Sequence, residues 1–297
     1  MLDVVVRRLV EFSYERALRQ AYLGNSVRVG EHQLPGLWSA YRGVARILDL
    51  EPEHDVYVSS SVRWNALTIG SRRPMIVIGS DLLQHLGAGE QRAVIAHELG
   101  HVLSDHVLYT TALNILLAAG GGLPAGLGLP VRAVRAVLLE WVRAAELSCD
   151  RAATLAVRDP RIVCRSLMVL AAGMPASELD LDAFMTQAME YENWEDSHDR
   201  MRRFLNELNA THANAVRRVS EIMRWVQSGE YDRIQRGEYR RRDQETHVRE
   251  EAGEAFEFYA ERFRQVFREL TENMNSLGDQ MGSVSSQVAD WLRRRGE

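Results

Sequence analysis

Hydrophobic residues in the first 50 positions recur at helical spacing. Leu9 and Phe12 mark one stripe, and Leu37 and Tyr41 mark a second. A stripe that repeats every three to four residues is typical of an amphipathic helix with one buried face. We therefore expect two N-terminal helices within residues 1–50, packed over the rest of the domain.

The pattern changes between residues 56 and 79. Short apolar runs occupy residues 56–58, 65–69 and 75–78, with glycine and proline between the last two. Runs of this length, rich in β-branched residues and bounded by turn residues, are typical of strands. They predict a small antiparallel sheet within residues 56–79.

Helical periodicity returns in residues 90–106 and 132–157, which we predict to be two helices. The stretch between them, residues 107–131, carries no charge and is long enough by count to span a membrane. Glycines and prolines interrupt its second half, which disfavours a continuous helix. We expect a helix followed by a turn there, with membrane insertion as the alternative.

The C-terminal region shows a seven-residue repeat of apolar positions that begins with Phe256 and Phe263. This heptad pattern is typical of a long amphipathic helix. We predict one domain over residues 1–235, followed by a charged linker and this helix in residues 236–297. The stripe at 256–291 fits packing against the domain, against a second copy or another protein, or on a lipid surface.

Composition narrows the class of protein. The 297 residues are 46% hydrophobic with a formal net charge of −5, so a large core is expected and a nucleic-acid partner is not. The two cysteines, Cys149 and Cys164, are too few for a disulfide framework. A secretory signal needs an uncharged apolar segment, and charged residues interrupt the N-terminal apolar run of this chain. We expect a cytoplasmic protein, with membrane association through 107–131 as the alternative.

The candidate chemistry lies in the motif His-Glu-Leu-Gly-His at residues 97–101. With 3.6 residues per helical turn, His97 and His101 lie on one face and can bind one metal ion. Glu98 is offset by about 100° around the helix, which suits a carboxylate that acts on water at the metal. The motif predicts a single catalytic zinc ion with Glu98 as general base.

A catalytic zinc site needs a third protein ligand, with the fourth position left for water. Val107 stands where an extended motif would place a third histidine, so a downstream carboxylate is required. Glu146 on the second predicted helix is the candidate. Asp150 follows it at i+4 on the same face and is placed to orient His97 or His101.

Other readings of these residues stay open. Glu146 and Asp150 also fit an ordinary surface salt bridge with Arg143 or Arg151. We expect His106 to be an exposed histidine at the helix end. We expect Cys149 to be a small buried residue rather than a ligand or redox switch.

Residues 94–102 (VIAHELGHV) and 145–152 (AELSCDRA) resemble the HtpX-like and CaaX-prenyl-protease family of zinc metallopeptidases, a gluzincin group. The resemblance extends from about residue 56 to residue 234. It implies an α+β, predominantly helical, gluzincin-like domain with its small sheet beside the active-site helix.

Two further segments resemble motifs of that family. Asn65-Ala66 is similar to an Asn-Ala-Phe segment, and Thr211-His212 with Arg218 to Ser/Thr-His-Pro and Arg motifs, although Ala213 replaces the proline. The resemblance implies that His212 and Arg218 stabilise the oxyanion. It also implies that one strand is the edge beside the cleft, made of Met75, Ile76, Val77 and Ile78.

The expected function is a zinc-dependent endopeptidase that hydrolyses peptide bonds in extended or unfolded polypeptide segments. The substrate would add as a strand along residues 75–78. The alternative is a non-hydrolytic, zinc-stabilised interaction protein that recruits a partner through its C-terminal heptad helix. A zinc hydrolase for non-peptide amides also fits the ligand set.

Overall fold

A computed structural model describes residues 15–51, 53–70, 73–104, 106–107, 128–192 and 214–239. The described residues up to Glu238 belong to one compact unit. In chain order its elements are α1 (Glu15–Asn25), β1 (Val27–Arg28), α2 (Pro35–Ile47), β2 (Asp55–Ser59), β3 (Ala66–Ile69), β4 (Met75–Gly79), α3 (Ser80–His85), α4 (Ala88–Leu103), α5 (Gly128–Val157), α6 (Pro160–Ala172), α7 (Leu181–Glu192), α8 (Ala215–Gln227) and α9 (Glu230–Gln235).

The described domain is mostly helical with one small sheet, as predicted. Helix α2 begins with Pro35, whose missing N–H costs nothing in the first turn of a helix. It buries Leu37, Tyr41 and Val44, so the second N-terminal stripe packs into the core. Helix α4 also matches a prediction, since it spans Ala88–Leu103 where residues 90–106 were expected.

The sheet is mixed, and the prediction of an antiparallel sheet is wrong. Its strand order is β1-β2-β4-β3, with β2 and β4 parallel and the other two pairs antiparallel. The reason is the β3–β4 hairpin, which brings β4 back between β3 and β2. Strand β4 then runs in the same direction as β2.

The prediction that the strand of residues 75–78 forms the sheet edge is also wrong. Strand β4 pairs with β2 on one side and with β3 on the other, and all its residues are buried. Its unbroken apolar run is typical of a strand that is covered on both faces. Among the described strands, β3 occupies the sheet edge next to α4, with which it packs.

Helix α4 lies at the centre of the domain, packed against α2, α5, α6 and β3. Ala93, Ile95, Ala96 and Leu99 on this helix are at most 1% exposed. A helix with apolar residues on most of its circumference must be enclosed by other elements. Glu98 and His101, two polar residues of α4, are thereby held in the interior.

Helices α6 and α8 complete the wall around α4. Asp159 caps α6 by accepting a hydrogen bond from the backbone N–H of Arg161, and Gly173 ends the helix in the left-handed conformation. Helix α8 packs against α5, α6 and α7 through a buried face that includes Val219 and Ile222. This packing brings residue 218 into the domain interior.

Several predictions fall outside the described residues. These are His212, nearly all of the 107–131 stretch and the heptad stripe at 256–291, and the domain boundary after residue 235 stays a prediction. Among the helices that the structure describes, none combines the length and apolar character needed to cross a membrane.

Candidate metal centre and active site

Helices α4 and α5 bring together the three side chains that the sequence suggests as metal ligands. Nε2 of His97 lies 3.5 Å from Oε2 of Glu146, and Nε2 of His101 lies 3.4 Å from Oε1. The three side chains can place one donor atom each within 4.8 Å of one another. The i, i+4 spacing on α4 puts both rings on one face, and the packing of α5 supplies the carboxylate.

This donor set fits zinc. Two imidazoles and one carboxylate are ligands of catalytic zinc sites, in which metal–ligand distances near 2.0–2.1 Å put neighbouring donors about 3.4 Å apart. Glu146 is 2% exposed and His101 is 7% exposed. Burying such groups together is costly unless they are paired or bind a cation. The separations and the burial both suit a metal ion.

Asp150 lies one helical turn beyond Glu146 and contacts His97 from the other side of the ring. Its Oδ1 is 3.0 Å from Nδ1 of His97. Burial raises the pKa of Asp150, but the Arg218 charge and hydrogen bonds outweigh it, and the pKa is lowered. Asp150 is therefore a carboxylate that accepts the Nδ1–H bond and leaves Nε2 facing Glu146.

The electrostatics of this pocket favour an added positive charge. Burial and the nearby Arg218 lower the pKa of His97, but hydrogen bonds with Asp150 and Glu146 outweigh both and raise the pKa to about 9. The carboxylates therefore stabilise a cation at the imidazole. A divalent metal ion at Nε2 would satisfy the same preference.

Arg218 enters from α8 and binds two carboxylates of α5, those of Glu146 and Asp150. Nε and Nη2 donate to Asp150 over 2.8 and 2.6 Å, and Nη1 lies 3.1 Å from Oε2 of Glu146. The guanidinium is 7% exposed, and the two carboxylates raise its pKa although burial opposes this. These contacts favour a role in holding Asp150 and Glu146, rather than the oxyanion role that the resemblance implies.

Glu98 makes a contact that the sequence did not reveal. The side chain is 5% exposed, and its Oε2 accepts a 2.6 Å hydrogen bond from the hydroxyl of Thr68 on β3. The only sequence signal for Thr68 was its position two residues after the Asn65-Ala66 segment. The sequence around a threonine in a short strand does not predict which distant carboxylate its hydroxyl will contact.

The prediction that His106 is an exposed helix-end residue is wrong. Its ring is half-buried, with its centroid 5.6 Å from that of His101 and Nδ1 3.6 Å from Sγ of Cys149. Burial and the His101 charge lower the pKa of His106 to about 4. Cys149 is fully buried, as expected, because it fills the contact between α4 and α5.

A cavity of about 680 Å³ borders the candidate metal centre. Strand β3 and the loop before it line one side, and α6 lines another. The lining side chains include Leu67, Thr68, Val94, Glu98, Leu167 and Leu170. Apolar walls around a few convergent polar groups are typical of a substrate site.

Comparison with known proteins gives two matches. Residues 35–226 match the sequence profile of peptidase family M48. The chain is 39% identical over 214 residues to the plastoglobule-localized metallopeptidase 48, chloroplastic, of Arabidopsis thaliana. That alignment covers 70% of this chain and 62% of the relative, so the chain spans less than two thirds of the relative's length.

Proposed function

The chain belongs to peptidase family M48, and we propose that it is a zinc-dependent endopeptidase acting on extended or unfolded polypeptide segments. The observation that carries the proposal is the convergence of His97, His101 and Glu146 from two helices, with Glu98 beside them at the cavity. Three ligands and a nearby carboxylate are the groups that zinc-dependent hydrolysis of a peptide bond uses.

In this proposal His97, His101 and Glu146 hold a single zinc ion. When bound there, zinc would lower the pKa of a water molecule toward about 7 and act as a Lewis acid toward the scissile carbonyl. Asp150 accepts the Nδ1–H bond of His97 and so leaves Nε2 free to bind the metal. Arg218 keeps Asp150 and Glu146 in place. In this proposal these two residues act through the ligands.

Glu98 moves the proton. Thr68 occupies its Oε2, so we assign Oε1 to proton transfer. Glu98 accepts a proton from the attacking water and returns it to the amine that leaves. The oxyanion role of His212 stays a prediction, since the residue lies outside the described part of the chain.

The substrate chain binds along β3 in this proposal. Strand β4 has neighbours on both sides, so its backbone groups are already used, whereas β3 lines the cavity through Leu67 and Thr68. An extended peptide can add to a strand edge through main-chain hydrogen bonds. This mode of binding favours unfolded segments, because a folded surface rarely offers an extended backbone.

The test uses the zinc-loaded full chain with one protein in its native form and in a reduced, alkylated, unfolded form. We expect cleavage of the unfolded form, loss of cleavage with a chelator, and recovery on addition of zinc. The Glu98→Gln variant is the matched control for a contaminating protease. Absence of chelator-sensitive cleavage would contradict the proposal.

Substrate geometry has its own test. A peptide that is cleaved is resynthesised with N-methyl groups on alternate backbone amides. We expect one of the two alternating sets to abolish cleavage, because it removes the N–H groups that pair with β3. Equal cleavage of both N-methylated peptides would contradict binding along a strand edge.

The interaction-protein alternative rests on the 256–291 stripe, which lies outside the described residues. The cavity beside the metal centre favours the enzyme. Pairing with another copy or partner through that stripe stays a prediction, as does the cytoplasmic location. The name of the Arabidopsis relative places that protein in the chloroplast plastoglobule, and fractionation of the full chain in its own cells would test the location.

A further inference from the structure

We propose that Thr68 is a positioning residue that holds the general base Glu98 in its working orientation. This inference rests on the proposed function and adds to it a residue outside the metal-binding helices. The two side chains lie on different elements, β3 and α4, and are separated by 30 positions in sequence. Their hydrogen bond is therefore a tertiary contact rather than a consequence of local geometry.

The bond has the geometry of a strong one. Its 2.6 Å length lies in the range of about 2.5–2.7 Å expected for a hydroxyl that donates to a carboxylate. The same hydroxyl lies 3.2 Å from the backbone carbonyl of Glu98. A hydroxyl has one hydrogen to donate. The carboxylate oxygen is the nearer of the two acceptors, so the hydroxyl donates to it.

Burial makes the bond effective as a restraint. Thr68 is 8% exposed and Glu98 is 5% exposed, so water competes little for the hydroxyl. A β-branched side chain has a restricted first torsion angle, which keeps the hydroxyl in place. Glu98, by contrast, has three rotatable side-chain bonds, and a base that moves by about 1 Å can lose up to about 100-fold in rate.

The position of Thr68 also joins two parts of the site. Its strand lines the cavity and is the one along which we place the substrate, while its hydroxyl holds the base. A shift of β3 relative to α4 would move the substrate backbone and the carboxylate together. Thr68 thus keeps the base in register with the peptide bond.

The experiment compares Thr68→Val, which keeps the shape and removes the hydroxyl, with Thr68→Ser, which keeps the hydroxyl. We expect Thr68→Val to lower kcat by about 10- to 100-fold with little change in KM or zinc content. We expect Thr68→Ser to keep most of the kcat. The matched control is Thr154→Val, because Thr154 is also buried but donates to the backbone carbonyl of Asp150.

A readout independent of activity is the crystal structure of the Thr68→Val variant. We expect the Glu98 carboxylate to leave its position or to occupy more than one. Full kcat in Thr68→Val, an equal loss in Thr68→Ser, or an unmoved Glu98 would overturn the inference while wild-type cleavage persists. Wild-type protein without chelator-sensitive cleavage would instead overturn the proposed function and this inference together.

Discussion

Gly100 on α4 lies directly against Cys149 on α5, where the two helices that carry the candidate metal ligands are in contact. A Cβ atom at position 100 would lie 3.2 Å from both Cα and Sγ of Cys149. That spacing is tighter than ordinary van der Waals contact, and one of the atoms is backbone. The absence of a side chain at Gly100 therefore sets how near Glu146 comes to the two imidazoles.

Replacing Gly100 by alanine should separate α4 from α5 and weaken zinc binding. We expect a loss of about 1–3 kcal/mol in the free energy of unfolding, together with lower zinc content. Thermal unfolding and elemental analysis measure the two effects. Gly43→Ala on α2 is the control, because no atom lies within 4 Å of its added Cβ, and unchanged zinc content in Gly100→Ala would contradict the packing argument.

Glu98→Gln should keep its zinc and lose hydrolysis. The amide cannot accept the proton, and removal of a general base typically costs about 10²- to 10⁴-fold in rate. Cleavage of an unfolded protein and zinc content are measured on the same preparation. Wild-type activity in this variant would remove Glu98 from the role of base.

Glu146→Ala should lose zinc. The substitution removes one of three ligands and leaves the buried Arg218 with one carboxylate instead of two. Elemental analysis after dialysis checks the result. Glu90→Ala is the control, since Glu90 is also buried but pairs with Arg165 away from the metal centre; normal zinc content in Glu146→Ala would exclude Glu146 as a ligand.

Arg218→Lys distinguishes a structural role from an oxyanion role. Lysine keeps the charge but lacks the planar group that contacts Asp150 and Glu146 together. If Arg218 holds the ligands, zinc affinity should fall by about 10- to 100-fold, measured by competition with a chromogenic chelator. Arg224→Lys, at an exposed salt bridge, is the control. A lower kcat with wild-type zinc affinity would favour the oxyanion role instead.

Cys164 should resist alkylation in the folded protein. Burial, with a smaller contribution from the Asp150 charge, raises the pKa of its thiol to about 12, and the thiolate is the reactive form. At pH 8 we expect iodoacetamide to modify Cys164 slowly in the native protein. Modification should be rapid in urea, where the pKa returns to about 8.5. Mass spectrometry gives both rates, and equal rates would show that the thiol is accessible.

Two pairs of candidate site residues could be placed from the sequence because the geometry within each pair is local. His97 and His101 share a face of α4, and Glu146 and Asp150 share a face of α5, since residues four apart lie one turn apart in any α-helix. The helical periodicity of both segments is long and regular. The prediction therefore needed no knowledge of the rest of the fold.

The sheet could not be predicted in the same way. The apolar runs identified the strands, but their spatial order depends on which strand pairs with which across the whole domain. Because β4 pairs with both β2 and β3, the sheet edge beside the cavity is Ala66–Ile69 rather than the predicted residues 75–78. We therefore propose that the substrate binds along β3 and not along residues 75–78.

The sequence by itself determined the helices, the residues on each face and the class of chemistry. These features depend on residue type and on the spacing of residues three to four positions apart, which are local properties of the chain. Tertiary structure alone decided that Thr68 meets Glu98 and that Arg218 meets Asp150, 68 positions away. Such contacts arise when the whole core packs and buried polar groups must find partners. No local pattern specifies which distant partner each group will find.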